Sequence, residues 1–314
     1  MDVHTSTASL RKIVLALIGE GRYAEAETRL RPSLDDPSAT EFRFLLAWAL
    51  LGQGAYGEGF QLWEQSRFSA GTAPTGKPHM PVPQWDGGEI RTLILLPDQG
   101  LGDQIQFARY IEALRARGVD AHLVPRPEMS DLFLASGYTL ATKGMRYDAW
   151  AYIGSLPALL KVEEVLPLEG PYLFAPKIDA PALRSGARIG FVWHGDSKHA
   201  NDSRRSLSRT DADILLRRSD VVSLQQEDTG FKTMAQTAAL IEKLDLVVSV
   251  DTSVAHLAGA LGKPTWVLLP RRFTDWRWML ERSDTPWYRS MTLLRQSDDG
   301  IWTPTLSQLI NQLP

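Results

Sequence analysis

The feature that most constrains the fold is a regular alternation of short apolar runs and helical segments from residue 91 onward. Strands are predicted at Thr92–Leu96, Ala121–Val124 and Tyr147–Ile153, and helices lie between them at Ile105–Arg117 and Pro127–Ser136. Parallel strands need a crossover connection, and a helix usually supplies it. This stretch therefore predicts an α/β unit with a parallel sheet.

The same alternation restarts after a proline-containing stretch at Pro167–Ser185. The second set of strands is predicted at Arg188–Trp193, Val221–Leu224, Leu246–Val250 and Thr265–Leu269, with helices at Asp211–Arg217, Thr233–Lys243, Ser253–Leu261 and Thr305–Leu313. Two consecutive α/β units are expected, each with its own sheet. A ligand would bind in the cleft between them, beyond the carboxyl ends of the strands.

An internal repeat precedes these units. Leu17–Ala26 returns as Leu50–Gly59, with a spacing of 33 residues. In each copy an apolar helix ends at Gly-x-Gly, and a second helix begins with a tyrosine. The spacing resembles the tetratricopeptide period of about 34, although an ordinary helical hairpin is the alternative. Because solenoids generally need three or more repeats, we expect this segment to pack on the next domain.

Composition excludes several classes of function. The 314 residues include 34 Lys+Arg, 37 Asp+Glu and no cysteine. The formal charge of −3 argues against nucleic-acid binding, and the lack of cysteine excludes disulfides and thiol chemistry. No apolar stretch approaches the ~20 residues of a membrane span, which predicts no stable membrane insertion. Met1–Gly19 is predicted to be the first helix of a cytoplasmic protein, because Glu20 and Arg22 follow it without a cleavage site.

Three loops carry candidate functional residues. The first is Pro97–Gln104, where Gly102 and Asp103 follow a predicted strand and open a helix. Asp103 could serve only to cap that helix. The third glycine of the dinucleotide-binding fingerprint is missing, which argues against NAD.

The second loop joins the strand Leu246–Val250 to the next helix. Asp251, Thr252 and Ser253 cluster at the predicted helix start, where free backbone N–H groups favour an anion. His256 lies one turn further along, and a purely structural histidine is the alternative.

The third loop follows Arg188–Trp193 and is basic. Residues 184–218 hold eight Lys/Arg and four Asp, so Lys198 and Arg205 are candidate phosphate ligands. A solvated charged loop is the alternative, and no metal-ligand spacing matches a known site. Gln225 ends the strand Val221–Leu224 and is expected to face the same cleft.

The aromatic stretch Asp275–Tyr288 follows the strand Thr265–Leu269. Its tryptophans could stack on a sugar or a base. We favour packing between the two units instead.

Together, Gly100-Leu101-Gly102-Asp103-Gln104, Asp251-Thr252-Ser253-x-x-His256-x-Ala258-Gly259-x-x-Gly262-x-Pro264 and the aromatic stretch resemble bacterial tetratricopeptide proteins with a glycosyltransferase domain of the heptosyltransferase type. More distantly, they resemble O-linked N-acetylglucosamine transferases. The resemblance implies a GT-B fold of two Rossmann-like units. It divides the chain into tetratricopeptide-like helices (1–70), a linker (71–90), an acceptor unit (91–182) and a nucleotide-sugar donor unit (183–314).

The resemblance also implies roles for residues. Asp103 would be the catalytic base, and Arg205, or Lys198, would neutralise the donor diphosphate. The full set of candidate donor- and phosphate-binding residues is Gly102, Lys198, Arg205, Gln225, Asp251, Thr252, Ser253 and His256. The family usually has glycine where Ser253 stands, and the acceptor unit, at about 90 residues, is short.

The implied reaction is an inverting, metal-independent transfer from a nucleotide sugar, with no further cofactor. The acceptor would be a glycan, a lipid-linked sugar or a protein. Two alternatives stay open. One is a catalytically degenerate scaffold that binds a nucleotide or a peptide through the helical repeats. The other is an epimerase of the two-Rossmann type, which would release free sugar without an acceptor.

Overall fold

The computed structural model describes residues 7–36, 39–68, 78–178, 183 and 185–313. It begins with four helices: α1 (Thr7–Gly19), α2 (Tyr23–Leu30), α3 (Thr40–Gly52) and α4 (Tyr56–Ser66). The turns after α1 and α3 each contain a glycine in the left-handed region, Gly21 at φ 76° and Gly54 at φ 82°. The predicted pair of helix–turn–helix units is therefore confirmed. The predicted start at Met1 lies outside the described residues.

The first α/β unit contains β1 (Thr92–Leu96), α5 (Leu101–Ala108), α6 (Ile111–Ala116), β2 (Asp120–Leu123), α7 (Ser130–Ala135), β3 (Thr139–Leu140), β4 (Ala149–Tyr152) and α8 (Leu156–Leu159). Its sheet has the order β3-β2-β1-β4, and all pairs are parallel. Leu93 pairs with Ala121 on one side and Ala149 on the other, so β1 is buried at the centre. The prediction of a parallel sheet is confirmed.

Part of the predicted linker lies along the edge of this sheet. The backbone N–H of Trp85 donates to the Trp150 carbonyl at 2.8 Å, and the backbone N–H of Trp150 donates to the Pro83 carbonyl at 3.0 Å. A proline fits here because an edge position does not require its missing N–H. These residues thus extend the sheet beyond β4.

The predicted helix Ile105–Arg117 is wrong as a single element, because the chain turns at Arg109 and Tyr110, between α5 and α6. The buried Arg109 guanidinium leaves the first unit and donates to the Trp287 carbonyl of the second unit at 2.7 Å. Apolar spacing continues across the break, with Ile111 buried like the residues of α5. Periodicity alone therefore does not reveal the turn.

The second unit contains β5 (Ile189–Val192), α9 (Asp202–Arg205), α10 (Arg209–Leu216), β6 (Val221–Ser223), α11 (Gln226–Thr229), α12 (Met234–Glu242), β7 (Leu246–Val250), α13 (Ser253–Ala260), β8 (Thr265–Leu269), β9 (Met291–Arg295) and α14 (Thr303–Gln312). Its sheet is parallel with the order β6-β5-β7-β8-β9. The strands β3 and β9 were not predicted.

Among the described helices, none has the length and apolar character needed to traverse a bilayer.

Aromatic side chains join the helical segment to both units. The Phe60 ring lies 5.8 Å from Trp276 and 6.5 Å from Phe107, and the Tyr56 ring lies 5.7 Å from Trp287. These rings belong to one apolar cluster that runs through all three parts of the chain. The expected packing of the helical segment on the next domain is confirmed.

A buried ionic cluster adds a second connection. Arg67, just after α4, and Asp98, after β1, form an ion pair in which both side chains are fully buried. Arg67 also donates to the Ser155 hydroxyl at 2.6 Å and pairs with Glu64 at 3.0 Å. The second oxygen of Asp98 accepts from the Gly154 N–H at 3.2 Å. The cluster therefore fixes α4 to the carboxyl ends of β1 and β4.

Arg67→Met should lower the free energy of unfolding by about 3–5 kcal/mol, because it leaves the Asp98 charge buried without its counterion. Chemical denaturation followed by tryptophan fluorescence measures the change. Arg11→Met is the control, since the Arg11–Glu41 pair is about half exposed and should contribute no more than about 1 kcal/mol. Equal losses in the two variants would contradict this role of the buried pair.

Candidate active site

The structure brings the first two predicted loops into direct contact. A Cβ atom placed on Gly102, in the first turn of α5, would lie 2.9 Å from Cδ2 of His256 and 3.5 Å from the Ser253 Cα atom of α13. Any side chain at position 102 would therefore push the two helices apart. The two helix starts, one from each unit, meet at this point.

Asp103 is held at the same place. One carboxylate oxygen accepts from the Gly100 N–H at 2.9 Å, and the other accepts from the Arg277 guanidinium. The capping role that the sequence allowed is therefore present. The side chain is 20% exposed. Burial raises the pKa of Asp103, and the positive charge of Arg277 opposes that rise.

His256 is a packed, uncharged imidazole. Its Nδ1 lies 2.9 Å from the Tyr288 hydroxyl, and its ring centre lies 5.2 Å from that of Trp278. Burial, together with the charges of Arg277 and Arg109, lowers the pKa of His256 to about 3. At neutral pH the side chain can form hydrogen bonds but contributes no positive charge to an anion.

The turn after β7 forms the other side of the site. Thr252 has extended backbone and precedes α13, and its hydroxyl lies 3.1 Å from that of Ser249. Burial and the nearby Asp275 charge raise the pKa of Asp251 to about 6. The first N–H groups of a helix have no partner within it, so α13 directs donors at this turn.

Arg205 connects the basic loop to this turn. Its guanidinium donates to the Asp251 carbonyl at 2.7 Å and pairs with Asp202 at 3.3 Å. It passes over Gly195, where a Cβ atom would overlap the guanidinium, so a side chain at position 195 would displace Arg205 from this path. Sequence reasoning therefore named a basic residue that the structure places beside Asp251.

The remaining two candidates lie differently. Gln225 is buried, and its amide donates to the His194 carbonyl at 3.3 Å, so it fixes the start of the basic loop. Lys198 is exposed on the outer part of that loop, where its backbone N–H donates to Asp196 at 3.0 Å.

Sequence reasoning missed the central charge of the site, Arg277. It lies in a short turn between β8 and β9 and contacts Asp103, Gln106 and Asp275. Trp276 and Trp278, on either side of it, are fully buried, which confirms the packing interpretation of the aromatic stretch. The only sequence signal was an arginine between two tryptophans, and its partner Asp103 lies 174 positions away.

Within the ranges that the structure describes, no three His, Asp or Glu side chains are grouped as a metal would require.

Residues 229–269 match the sequence model of glycosyltransferase family 9 (heptosyltransferase). This stretch comprises α12, β7, α13 and β8, so it includes the turn at Asp251–Ser253 and His256. The match supports a glycosyltransferase.

The chain is also similar to protein FlbA of Caulobacter vibrioides, with 24% identity over 351 aligned residues. The alignment covers 94% of this chain and 58% of FlbA, so the chain spans less than two thirds of that relative.

Two solved structures are similar to part of this chain. One is described as the bacterial iron-containing dodecameric glycosyltransferase TibC from enterotoxigenic E. coli H10407, with 13% identity, coverage of 60% of this chain and 59% of that chain, and a TM-score of 0.43. The other is the heptosyltransferase TibC in complex with ADP-D-beta-D-heptose, with 11% identity, 62% coverage of each chain and a TM-score of 0.44.

Asp251→Asn should change how stability depends on pH. The carboxyl pKa is about 6 in the folded protein and about 3.9 in an unfolded chain. Between pH 4 and 6 the folded state therefore binds more protons, and this group destabilises the parent as the pH rises. Because Asn does not ionise, the stability of the variant relative to the parent should rise by on the order of 1–3 kcal/mol from pH 4 to pH 7.

Urea denaturation at several pH values measures this difference, and the titration of His256 cancels because both proteins contain it. A difference between Asp251→Asn and the parent that does not vary with pH would contradict the raised pKa of Asp251.

Proposed function

We propose that this chain transfers a sugar from a nucleotide-sugar donor to an acceptor hydroxyl, with inversion and without a required metal. One observation carries the proposal. The stretch that matches glycosyltransferase family 9 contains the turn Asp251–Ser253, which follows β7. The next helix, α13, contacts Gly102, the residue before Asp103 in the first unit. A helix N-terminus and an arginine, both of which favour negative charge, thus lie near a carboxylate that could act as a base.

The overall architecture agrees with this proposal. Two consecutive α/β units with parallel sheets are consistent with a GT-B-like fold. The two helix pairs and their 33-residue repeat support a tetratricopeptide-like N-terminal segment. In this arrangement the first unit takes the acceptor and the second takes the donor.

On the donor side, the N-terminus of α13 and the Arg205 guanidinium would hold the diphosphate. Both favour negative charge, and both converge on the turn at Asp251. They would stabilise the charge that grows on the leaving nucleoside diphosphate. Ser253 and the neutral His256 would add hydrogen bonds rather than charge.

On the acceptor side, Asp103 would be the general base. It accepts hydrogen bonds from Gly100 and Arg277, but an ionised carboxylate has about four lone-pair sites, so it can also accept from an acceptor hydroxyl. The hydroxyl proton passes to Asp103 while the acceptor oxygen forms a bond to the anomeric carbon. The bond between that carbon and the diphosphate oxygen breaks, and the nucleoside diphosphate leaves with the bonding electrons. A single displacement of this kind inverts the anomeric carbon. The hydroxyl is carried by a glycan, a lipid-linked sugar or a protein.

A second candidate, a degenerate nucleotide-binding scaffold, is favoured by the tight closure of the site. Asp103 is already paired with Arg277, and Gly102 lies directly against His256. A melting shift with nucleoside diphosphates but no turnover of any nucleotide sugar would select this candidate. Turnover would select the transferase.

Asp103→Asn should lower the rate of sugar transfer or of nucleotide-sugar hydrolysis by roughly 10²–10⁴-fold, because the amide cannot accept the proton. Its affinity for nucleoside diphosphate should stay the same, since the diphosphate binds on the other unit. Turnover is followed by nucleotide release over a panel of nucleotide sugars, and affinity by calorimetry. Transfer at the parent rate would remove Asp103 from the mechanism.

Arg205→Ala should weaken the binding of nucleoside diphosphate by about tenfold or more, because a charge-assisted contact to the diphosphate is lost. The matched control is Arg204→Ala, which removes the neighbouring exposed arginine and should leave affinity close to that of the parent. Calorimetry compares the three proteins, and melting temperatures show that each is folded. Equal affinities in all three would exclude Arg205 from the donor site.

A further inference from the structure

Arg277 is the group through which the two units meet in the candidate site. It is 7% exposed and lies in the turn Trp276–Trp278 between β8 and β9. Its guanidinium donates to Asp103 and Gln106 of α5, in the first unit. It also contacts both carboxylate oxygens of Asp275, in the second unit, at 3.0 and 3.1 Å. One side chain therefore binds groups of both units at once.

The plane of this guanidinium is fixed by aromatic contacts. Its central carbon lies 4.4 Å from the ring centre of Trp276 and 5.7 Å from that of Phe107. Stacking and a planar fork of donors are properties of arginine that lysine does not share. The Asp103 carboxylate is thus held in one orientation by Arg277 and by the Gly100 N–H.

Arg277 also determines the charge balance around Asp103. The other carboxylates that act on Asp103 are Asp98, which is paired with Arg67, and Asp275. Burial and the charge of Arg205 lower the pKa of His199, which lies in the basic loop. His256 of α13 is uncharged at neutral pH. Arg277 is therefore the main favourable charge for an ionised Asp103.

The turn that carries Arg277 is anchored by the helical segment. Phe273 donates its N–H to the Gly19 carbonyl at 2.9 Å, and a Cβ atom on Gly19 would lie 2.5 Å from the Phe273 ring. Leu280 packs against Gly21 in the same way. Phe273 and Met279 both have positive φ, at 56° and 51°, a conformation that non-glycine residues adopt only when packing holds it. The helices thus set the position of Arg277.

We propose that Arg277 is the positioning residue of the base, holding the Asp103 carboxylate ionised and aimed from the opposite unit. This inference rests on the proposed function, because it assigns Asp103 the role of base. Arg277 does not take the proton; it acts through Asp103.

The test is the pH dependence of kcat/KM for nucleotide-sugar turnover in Arg277→Met, Arg277→Lys and the parent. Loss of the guanidinium raises the pKa of Asp103, so the acidic limb of the Met variant should move up by about one pH unit or more, with activity recovering at alkaline pH. The Lys variant keeps the charge, and its limb should stay near that of the parent while kcat falls. Arg271→Met, in the same β8–β9 connection but paired with the exposed Asp298, is the matched control and should leave the profile unchanged.

A second readout does not need turnover. Carbon-detected NMR follows the titration of the Asp103 carboxyl, which Asp103→Asn identifies by its missing signal. The midpoint should rise in Arg277→Met and stay in place in Arg271→Met. If the Met variant does not fold, Arg277→Gln replaces it in both measurements, because it retains hydrogen-bond donors without the charge.

The outcomes separate the two proposals. Suppose the parent is active, but removing the charge at position 277 moves neither the acidic limb of the kcat/KM profile nor the titration midpoint of Asp103. The positioning role of Arg277 is then overturned, while the proposed transferase activity is retained. If the parent turns over no nucleotide sugar while it binds nucleotide, the transferase is overturned, and the role of Arg277 in catalysis falls with it.

Discussion

The packing of one connection, between β8 and β9, holds the rest of the molecule in place. It inserts Trp276 beside Phe60 of the helical segment, and the Phe60 ring in turn contacts Phe107 of the first unit. It also carries Arg277 to the carboxylate of Asp103. Burying large aromatic area at this junction supplies the favourable energy, and the ion pair fixes the geometry. Together with the Arg67–Asp98 pair and the contact between Gly102 and His256, it sets how the helices and the two units pack against one another.

Much of the fold could be predicted because buried parallel strands are short apolar runs. The predictions Thr92–Leu96, Leu246–Val250 and Thr265–Leu269 coincide with β1, β7 and β8. The edge strand β3 has only two residues, too few to produce a pattern. β9 follows an irregular aromatic stretch, and it is recognised as a strand only by its pairing with β8 in the structure. The helix break occurs at Arg109, whose guanidinium contacts the second unit, and local spacing does not encode such a contact.

The meeting of the two turns could be predicted, but not their chemistry. Each turn follows the carboxyl end of a central strand, and topology brings such ends to the same edge of the molecule. Thus Gly102 and His256 do meet. Sequence alone gave no reason to pair Arg277 with Asp103, since ion pairs across a domain contact depend on three-dimensional packing. Nor did it reveal that His256 is buried among aromatic rings and uncharged.

The missing side chain at Gly19 bears on how such proteins can be recombined. The Phe273 ring occupies the space that a methyl group there would fill. The helical repeats are therefore complementary in shape to the β8–β9 connection of the second unit, and repeats of another sequence would not pack there in the same way. A chimera with repeats from another protein would also need the β8–β9 connection that matches those repeats. Otherwise Arg277, which contacts Asp103 of the first unit, would be displaced.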